Sequence, residues 1–216
     1  PMPSLVQLVS DRSFFRALKG VRTKGLVELL RGDVPVDSET GEIQFTEEGL
    51  SGICIFNLSR KYIGGDIVGI DLFPGYREEA LEEIFVSRAK TLENRSMPEF
   101  FNGMLHKKLI PVLLAELSLS ENRQAGGLNR AEIKRMVQLL KGWRISITGT
   151  KGWKEAQVTA GGIDLAEIDL STMESKSVPN LYFAGELLNV DEKCGGYNLQ
   201  WAWSSGMKAG KSAAMA

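Results

Sequence analysis

The sequence has few of the residues from which metal sites and disulfide frameworks are made. Its 216 residues include one histidine, His106, and two cysteines, Cys54 and Cys194. A structural zinc site needs a cluster of Cys and His ligands, and a disulfide framework needs several cysteines. We therefore predict that the protein has neither a metal site nor a disulfide scaffold.

An excess of charge of one sign and a long apolar run are also missing. The chain has 26 Lys and Arg against 27 Asp and Glu, a formal net charge of −1. It therefore lacks the excess of positive charge that tight binding to a phosphate backbone needs. The apolar stretch Leu109–Leu117 contains Pro111 and Glu116 and is far shorter than the roughly 20 residues of a membrane span. We predict a cytoplasmic globular protein without a membrane partner. Nucleic acid is disfavoured as a partner but not excluded.

Glycine is the one residue type in excess, with 23 of 216 residues against a usual ~7%. The pairs Gly161-Gly162 and Gly195-Gly196 indicate places where a side chain would obstruct a turn or a close neighbour. Position 1 is proline rather than an initiator methionine, so we expect the chain to begin inside a longer gene product.

The first third of the sequence predicts β-strands. Gly20–Leu30 is rich in Val and Leu, and Glu42–Thr46 alternates apolar with polar residues, which predicts an antiparallel pair. A turn is predicted at Asp37–Gly41. The apolar run Ile53–Leu58 is predicted as a strand, and Ser51 before it is also interpreted as a helix N-cap. A further strand is predicted at Asp66–Phe73.

The middle third predicts helices. Apolar residues recur every three or four positions from Tyr76 to Leu92, which indicates an amphipathic helix. Ser96–Glu99 has the pattern of a capping box with an early proline. Asn129 and Glu132 repeat this start signal before a helix that Gly142 ends.

The last third predicts short strands that end in glycine loops. Leu181–Ala184 is predicted as a buried strand that leads into Gly185-Glu186, and in open α/β sheets ligands bind beyond the carboxyl ends of strands. The Glu186 carboxylate could accept hydrogen bonds from a sugar-like hydroxyl group. The small-residue helix predicted over Asn198–Ala214 would present its amino end, which suits a partially negative ligand atom.

Three ordered segments resemble a known family of bacterial flavoproteins. They are GEIQFTEEGLSG, TAGGIDLAEID and TMESKSVPNLYFAGELLNVDEKCGGYNLQWAWSSG. The sequence is similar here to the BaiN-like or aminoacetone-oxidase-like NAD(FAD)-utilising dehydrogenases. The resemblance covers about the C-terminal half of such a protein.

The resemblance implies an α/β fold with α+β insertions. A partial FAD-binding Rossmann-like domain would carry a β-rich, barrel-like subdomain and a helical subdomain. We predict the β-rich subdomain at residues 1–75, the helical subdomain at residues 76–142 and the C-terminal segment of the FAD-binding domain at residues 143–216.

The resemblance also implies the function and the cofactor site. The complete protein would be an FAD-dependent oxidoreductase that transfers hydride between a nicotinamide donor, NAD(P)H, and a small organic substrate at a C=C or C–N bond. Steroid-like acids and, in some members, a ribosomal RNA uridine are implied substrates. The implied cofactor-binding residues are Gly161, Gly162, Gly185, Glu186, Gly195, Gly196, Tyr197, Asn198 and Leu199.

No catalytic residue is assigned from the sequence. Cys194 could relay electrons beside a flavin, or it could be a small residue tolerated in a tight turn. Tyr197 could donate a proton or stack on a ligand, or it could have only a packing role.

One departure from the family pattern concerns the phosphate half of the cofactor site. No G-x-G-x-x-G sequence occurs in the chain, so the turn that cradles the FAD pyrophosphate is missing. We therefore expect the isolated chain to bind FAD weakly or not at all, and to need the N-terminal half of the same flavoprotein as its partner. The predicted strand Leu181–Ala184 would then have an unpaired edge that favours self-association. The alternative function is a non-catalytic substrate-recognition or interaction module, in one version acting on RNA.

Overall fold

Eleven short strands and seven α-helices make up the chain, and the computed structural model describes all of residues 1–216. The strands are β1 (Met2–Ser4), β2 (Leu8–Val9), β3 (Arg22–Arg31), β4 (Val34–Phe45), β5 (Gly49–Ser51), β6 (Ile67–Asp71), β7 (Trp143–Ser146), β8 (Gly149–Thr150), β9 (Val158–Ala160), β10 (Ile168–Asp169) and β11 (Glu174–Ser175). The helices are α1 (Phe15–Leu18), α2 (Ile53–Ser59), α3 (Glu78–Thr91), α4 (Met97–Phe100), α5 (Leu109–Glu116), α6 (Arg130–Lys141) and α7 (Tyr197–Ala213). No helix combines the length and the apolar composition needed to cross a membrane.

Contacts between residues group the chain into two units. The larger unit is Leu8–Gly149, and the smaller unit combines Pro1–Gln7 with Thr150–Ala216. The predicted boundaries after residues 75 and 142 do not mark this division. The reason is that the helices α3 to α6 bury their apolar faces in the same hydrophobic core as the strands of the larger unit.

The main sheet has the strand order β7–β6–β3–β4–β5–β2–β8. The predicted antiparallel pair is confirmed, because β3 and β4 pair along their whole length, and the predicted strand at Asp66–Phe73 is confirmed as β6. The predicted turn at Asp37–Gly41 is wrong. These residues lie within β4 opposite Gly25–Leu29, and the chain reverses instead at Gly32-Asp33, where Gly32 has φ +63°.

The predicted strand at Ile53–Leu58 is also wrong, because these residues form helix α2. The helix start interpreted at Ser51 lies one residue from the observed N-cap, Gly52. A short apolar run fits a buried strand and a buried helix equally well, since it shows no clear period. The residue that decides between strand and helix is Gly52, just before the run. Gly52 has φ +108°, and a Cβ placed on it would lie 2.4 Å from the Glu42 carbonyl oxygen, so the chain bends there between β5 and α2.

The predicted helices of the middle third are confirmed. α3 follows the apolar period, and the capping boxes of Ser96 with Glu99 and of Asn129 with Glu132 begin α4 and α6. Phe85 on α3 packs edge to face against Phe100, with 5.4 Å between the ring centroids. This packing joins α3 and α4 within the core.

The smaller unit has its own small hydrophobic core. Ile168, Met173, Leu188 and Ala209 are buried there, and partly buried side chains such as Trp201 pack against them. The pairs β1–β9 and β10–β11 are antiparallel. A parallel bridge joins Ile163 and Leu188, and the Rossmann-like character of this part of the chain stays a prediction.

The predicted buried strand Leu181–Ala184 is wrong. Leu181 is exposed and the next three residues are only partly buried, and one isolated bridge from Tyr182 to Glu174 is formed. Two backbone hydrogen bonds hold the segment beside Met173–Ser175, from the Ser175 N–H to the Leu181 carbonyl oxygen and from the Phe183 N–H to the Met173 carbonyl oxygen. The 3-10 turn Gly185–Leu187 follows. Self-association of the chain stays a prediction.

Candidate functional site

A cavity of about 370 Å³ lies within the smaller unit. Its size falls within the roughly 300–1,000 Å³ of small-molecule sites. Apolar and polar side chains both contribute to its wall. The lining residues are Leu5, Gln157, Val158, Glu186, Val190, Cys194, Gly195, Gly196, Asn198, Leu199, Trp201 and Ala202.

Five of the nine predicted site residues line this cavity. They are Glu186, Gly195, Gly196, Asn198 and Leu199. The other four, Gly161, Gly162, Gly185 and Tyr197, do not line it, and Tyr197 is exposed at the start of α7. The structure thus brings the carboxylate of Glu186 and the amino end of α7 to one concave surface.

The loop before α7 is shaped by Asn198. The side-chain Oδ1 of Asn198 accepts a hydrogen bond from the Glu192 backbone N–H at 2.8 Å, and its Nδ2 donates to the Glu192 carbonyl oxygen at 2.8 Å. Gly195 and Gly196 follow with φ of +137° and +89°, a conformation that side chains other than glycine rarely adopt.

Helix α7 begins beside the cavity. Gly196 is its N-cap, without a side-chain cap, and Gly196, Asn198 and Leu199 all line the cavity. The first N–H groups of a helix have no acceptor within the helix, and they carry the positive end of its dipole. This edge of the cavity therefore favours an electron-rich ligand atom.

Glu186 lies in the 3-10 turn on another side of the cavity. The backbone N–H of Thr159 on β9 donates a hydrogen bond to Oε1 of Glu186. This contact holds the carboxylate at the cavity wall, where it remains exposed. An exposed carboxylate accepts hydrogen bonds from hydroxyl or N–H groups of a ligand.

The backbone of Gly185 is fixed to α7 by two side chains. The Gly185 N–H donates to Oγ of Ser205 at 2.9 Å, and the Gly185 carbonyl oxygen accepts from Nε1 of Trp201 at 3.0 Å. The Ser205 hydroxyl donates in turn to the Trp201 carbonyl oxygen at 2.6 Å. This closed set of hydrogen bonds sets the position of the turn that carries Glu186.

Gly162 supports the same turn from its other side. A Cβ on Gly162 would lie 2.5 Å from the Leu187 carbonyl oxygen, and Gly162 has φ +134°. The next residue, Ile163, donates its N–H to that carbonyl oxygen at 2.9 Å. Gly162, which was predicted to line the cavity, therefore packs behind the turn, whereas a Cβ on Gly161 would lie 3.4 Å from Pro1.

The two cysteines occupy different environments. Cys194 lines the cavity, with its Sγ 3.8 Å from Oε1 of Gln157. Cys54 is buried in the larger unit, where burial raises the pKa of its thiol, so it is a poor nucleophile. No group of three or more His, Cys, Asp or Glu side chains is placed to hold a metal ion.

Several cavity residues were missed by sequence reasoning. Gln157 and Val158 come from β9 and the residue before it, and Trp201 and Ala202 come from the first turns of α7. No local motif marks Gln157 or Val158, since only the fold brings this strand beside the loop at Cys194. Trp201 and Ala202 do carry a signal, because they follow the predicted site residue Asn198 by three and four positions and so lie on the same face of the helix.

Comparison with known proteins gives matches over most of the chain. The profile of the HI0933-like protein barrel and H2TH domain matches residues 2–158. The chain is 37% identical to a 3-dehydro-bile acid delta(4,6)-reductase of Clostridium scindens, over 99% of this chain and 54% of that protein.

Two further relatives are named ribosomal RNA dihydrouridine synthases. The protein of Haemophilus influenzae is 33% identical over 95% of this chain and 50% of its own length. The protein of Escherichia coli is 33% identical over 88% of this chain and 46% of its own length. The chain therefore spans about half the length of these curated relatives.

Proposed function

Because the chain belongs to the HI0933-like family of BaiN-like flavoproteins, we propose that the cavity of its smaller unit holds the ring and ribityl part of FAD. The chain would be the C-terminal part of an oxidoreductase that transfers hydride from NAD(P)H to a small organic substrate. One observation carries this proposal: the Glu186 carboxylate, the amino end of α7 and an apolar wall border the same cavity.

The residues present fit the isoalloxazine end of the cofactor. Val158, Val190 and Trp201 provide an apolar wall for a flat aromatic ring. When bound, the flavin supplies the capacity to accept and release hydride. The amino end of α7 stabilises negative charge on the ligand, and Glu186 accepts a hydrogen bond from a ligand hydroxyl group.

The chain does not provide the phosphate end of the site. It has no G-x-G sequence, so the glycine-rich turn that binds a pyrophosphate is not among its residues. We propose that the N-terminal half of the same flavoprotein supplies this turn. The isolated chain then binds FAD weakly or not at all.

The names of the relatives support a carbon–carbon double bond as the target. A delta(4,6)-reductase and a dihydrouridine synthase both add two hydrogens across such a bond. We propose the same class of reduction for the complete protein, with NAD(P)H as donor in the cytoplasm.

A second candidate function is a substrate-recognition module for RNA. The two relatives named for ribosomal RNA support it. The formal net charge of −1 argues against tight binding to a phosphate backbone. Retention of RNA by the chain that falls steeply with salt concentration would favour this second function over the first.

The experiment compares the isolated chain with a hybrid. In the hybrid, this chain replaces the matching residues of the C. scindens reductase, so that the rest of that protein is present. We expect the isolated chain to stay colourless after incubation with excess FAD and desalting, and the folded hybrid to retain FAD with its absorbance near 450 nm. A folded hybrid that retains no flavin would contradict the proposal, and so would tight FAD binding by the isolated chain.

A further inference from the structure

One apolar residue of the candidate cavity is fully buried. Leu5 is 2% exposed, whereas every other residue of the lining is partly or largely exposed. A residue that lines a cavity and is nevertheless closed to solvent lies at its inner end rather than at its mouth. Leu5 therefore forms the floor of the cavity, and the exposed carboxylate of Glu186 belongs to its rim.

The backbone of Leu5 has a conformation that is unfavourable for leucine. Its φ is +50°, in the left-handed region, where the Cβ of an L-residue comes too close to the following carbonyl oxygen. Twelve glycines of this chain have a positive φ, and glycine adopts that region without this penalty. Residue 5 is an exception, because it has a large side chain where glycine would cost less free energy.

Three other residues with side chains have a positive φ, and each has a simpler explanation. Ser118 follows the end of α5, where a left-handed residue is common, and Asn180 is of a residue type that tolerates this region. Met173 has φ +67°, and its buried side chain packs in the small hydrophobic core of the same unit. Leu5 belongs to neither hydrophobic cluster of the chain, so core packing does not account for it.

Hydrogen bonds on both sides of Leu5 hold it in this conformation. The strand β1 ends at Ser4, whose carbonyl oxygen accepts from the Gln157 N–H at 3.2 Å. Beyond Leu5, the Gln7 carbonyl oxygen accepts from the Lys151 N–H at 3.1 Å. Strained residues persist only where the surrounding structure fixes them, and they concentrate at ligand sites.

We infer that Leu5 is a specificity-determining residue of the cavity, because its side chain supplies the apolar floor against which a flat ring packs. This inference rests on the proposed function, which places the flavin ring in this cavity. Contact with the ring removes apolar surface of both groups from water, which favours binding. The Leu5 side chain has no hydrogen-bonding group, so the floor disfavours a ligand whose innermost atoms are polar.

The alternative is that Leu5 only fills space inside the folded unit. The two roles differ in what a ligand does to the side chain, because a residue that only fills space does not touch it. Met173 is the matched control for this difference. It is also 2% exposed, has a positive φ and belongs to the same unit, but it does not line the cavity.

The first test measures the dissociation constant of FAD in variants of the hybrid by quenching of flavin fluorescence. Leu5→Ala removes the floor, and we expect the constant to rise about tenfold. Met173→Ala removes a side chain of similar size from the core and is expected to leave the constant unchanged. Leu5→Met keeps the volume and the apolar character of the floor, so it should bind FAD as the unsubstituted hybrid does.

A glycine variant separates the side chain of Leu5 from its backbone strain. Leu5→Gly removes the floor as Leu5→Ala does, so we expect the same loss of FAD affinity. It also relieves the left-handed conformation, so its thermal unfolding midpoint should lie above that of Leu5→Ala. A midpoint at or below that of Leu5→Ala would overturn the strained conformation on which the inference depends. Should Leu5→Ala not fold, Leu5→Gly and Leu5→Met carry the comparison of FAD affinity.

Methyl NMR of the unsubstituted hybrid reports the contact directly. The two δ-methyl resonances of Leu5 are assigned by their absence in Leu5→Met. We expect them to shift when FAD is added, because they lie beside an aromatic ring, and the ε-methyl resonance of Met173 to stay in place. Should the hybrid not fold, lumiflavin, which is the flavin ring without its ribityl and phosphate groups, is added to the isolated chain, and unshifted Leu5 resonances then overturn the inference.

Failure of this inference and failure of the proposed function give different results. A folded hybrid that retains no flavin contradicts the proposed function, and the role of Leu5 is overturned with it. Retained flavin with unchanged affinity in Leu5→Ala, or with unshifted Leu5 resonances, overturns the role of Leu5 and leaves the flavin site standing. Equal losses of affinity in Leu5→Ala and Met173→Ala would show that Leu5 acts only through the stability of the unit, which also overturns the inference.

Discussion

The two units of the chain differ in how completely they bury their apolar residues. The larger unit has 34 buried residues in one hydrophobic cluster, whereas the smaller unit has four. Of the 16 exposed large hydrophobic residues, 11 belong to the smaller unit, although it is about half as long. The larger unit therefore buries most of its apolar side chains, and the smaller unit has the exposed apolar surface that is typical of a binding surface.

This difference agrees with where the candidate site lies. The cavity belongs to the smaller unit. In the larger unit the buried carboxylate of Asp66 and the partly buried ammonium group of Lys141 both form ion pairs. Lys141, for example, pairs with Asp71 at 2.5 Å and donates two more hydrogen bonds to backbone carbonyl oxygens. These three contacts use all three N–H donors of the Lys141 ammonium group, so none is left for a ligand.

The largest expected effect is on the core of the larger unit. Phe85→Ala removes a fully buried ring that packs against Phe73, Phe100 and Phe101, and we expect the free energy of unfolding to fall by about 4 kcal/mol. The matched change Leu187→Ala in the smaller unit, at an exposed side chain, is expected to alter it by less than about 0.5 kcal/mol. Guanidinium unfolding followed by circular dichroism measures both, and equal losses would refute the contrast between the units.

The next effect lies behind the candidate site. Gly162→Ala places a Cβ against the Leu187 carbonyl oxygen at a φ of +134°, and we expect a loss of about 3 kcal/mol in the stability of the smaller unit. Gly206→Ala is the control, because its Cβ would meet open space within α7 and alanine favours the helix by about 1 kcal/mol. Amide hydrogen exchange in the smaller unit distinguishes the two variants. Equal protection in both would contradict the tight packing at Gly162.

A third prediction concerns pH and the larger unit. Asp66 is buried and accepts hydrogen bonds from Nε and Nη2 of Arg31 and from the Ile63 N–H, and the Arg31 guanidinium is the main cause that lowers the pKa of this carboxyl group. A lowered pKa in the folded state stabilises the fold above the ordinary Asp pKa of about 3.9, and this contribution is lost as the pH falls through the folded-state pKa.

The change that tests this is Asp66→Asn. We expect a loss of about 2 kcal/mol in unfolding free energy at pH 7, and the difference from the unmodified chain should shrink as the pH falls below about 4. Asp33→Asn is the control, because Asp33 pairs with Arg144 at an exposed position, and it should change stability by less than about 0.5 kcal/mol. A difference that stays constant down to pH 2 would be inconsistent with this assignment.

The smallest effect is expected at the clamp on Gly185. Ser205→Ala leaves the buried Gly185 N–H without its acceptor, and we expect a loss of about 1.5 kcal/mol in the smaller unit. Ser204→Ala removes an exposed hydroxyl that accepts from Gln200 and should be nearly neutral. Hydrogen exchange at the amides of Gly185 and Glu186 reports the change. Slower or unchanged exchange in Ser205→Ala would contradict the role of Ser205 in fixing the Gly185 backbone.

The sequence predicted the larger unit well where local signals were strong. The paired strands β3 and β4 and the helices α3 and α6 follow from alternation, apolar period and capping residues. The prediction of a strand at Ile53–Leu58 was wrong because a short apolar run has no period that distinguishes a strand from a helix. The prediction of a turn at Asp37–Gly41 was wrong because pairing with β3 holds these turn-type residues in an extended conformation.

The candidate site was predictable only in part. Gly196 and Asn198 were found because they stand at the start of a predicted helix, and Glu186 because a carboxylate follows a predicted strand and a glycine. Gly195 and Leu199 were found only through the family resemblance. The prediction of a strand at Leu181–Ala184 was wrong. The segment forms one bridge, between Tyr182 and Glu174, and strand formation depends on such neighbours, which no local pattern reveals. Gln157 and Val158 could not be found, because long-range packing alone brings them to the cavity.

Filling the cavity with a large side chain tests the proposed flavin site. In the hybrid, Gln157→Trp fills space at a lining position, and Lys154→Trp adds the same side chain at a nearby exposed position outside the cavity. Quenching of flavin fluorescence on binding gives the dissociation constant of FAD for each variant. We expect Gln157→Trp to raise this constant about tenfold or more, a loss of about 1.4 kcal/mol in binding free energy, and Lys154→Trp to leave it unchanged. Equal FAD affinity in a folded Gln157→Trp hybrid would contradict a flavin site in this cavity.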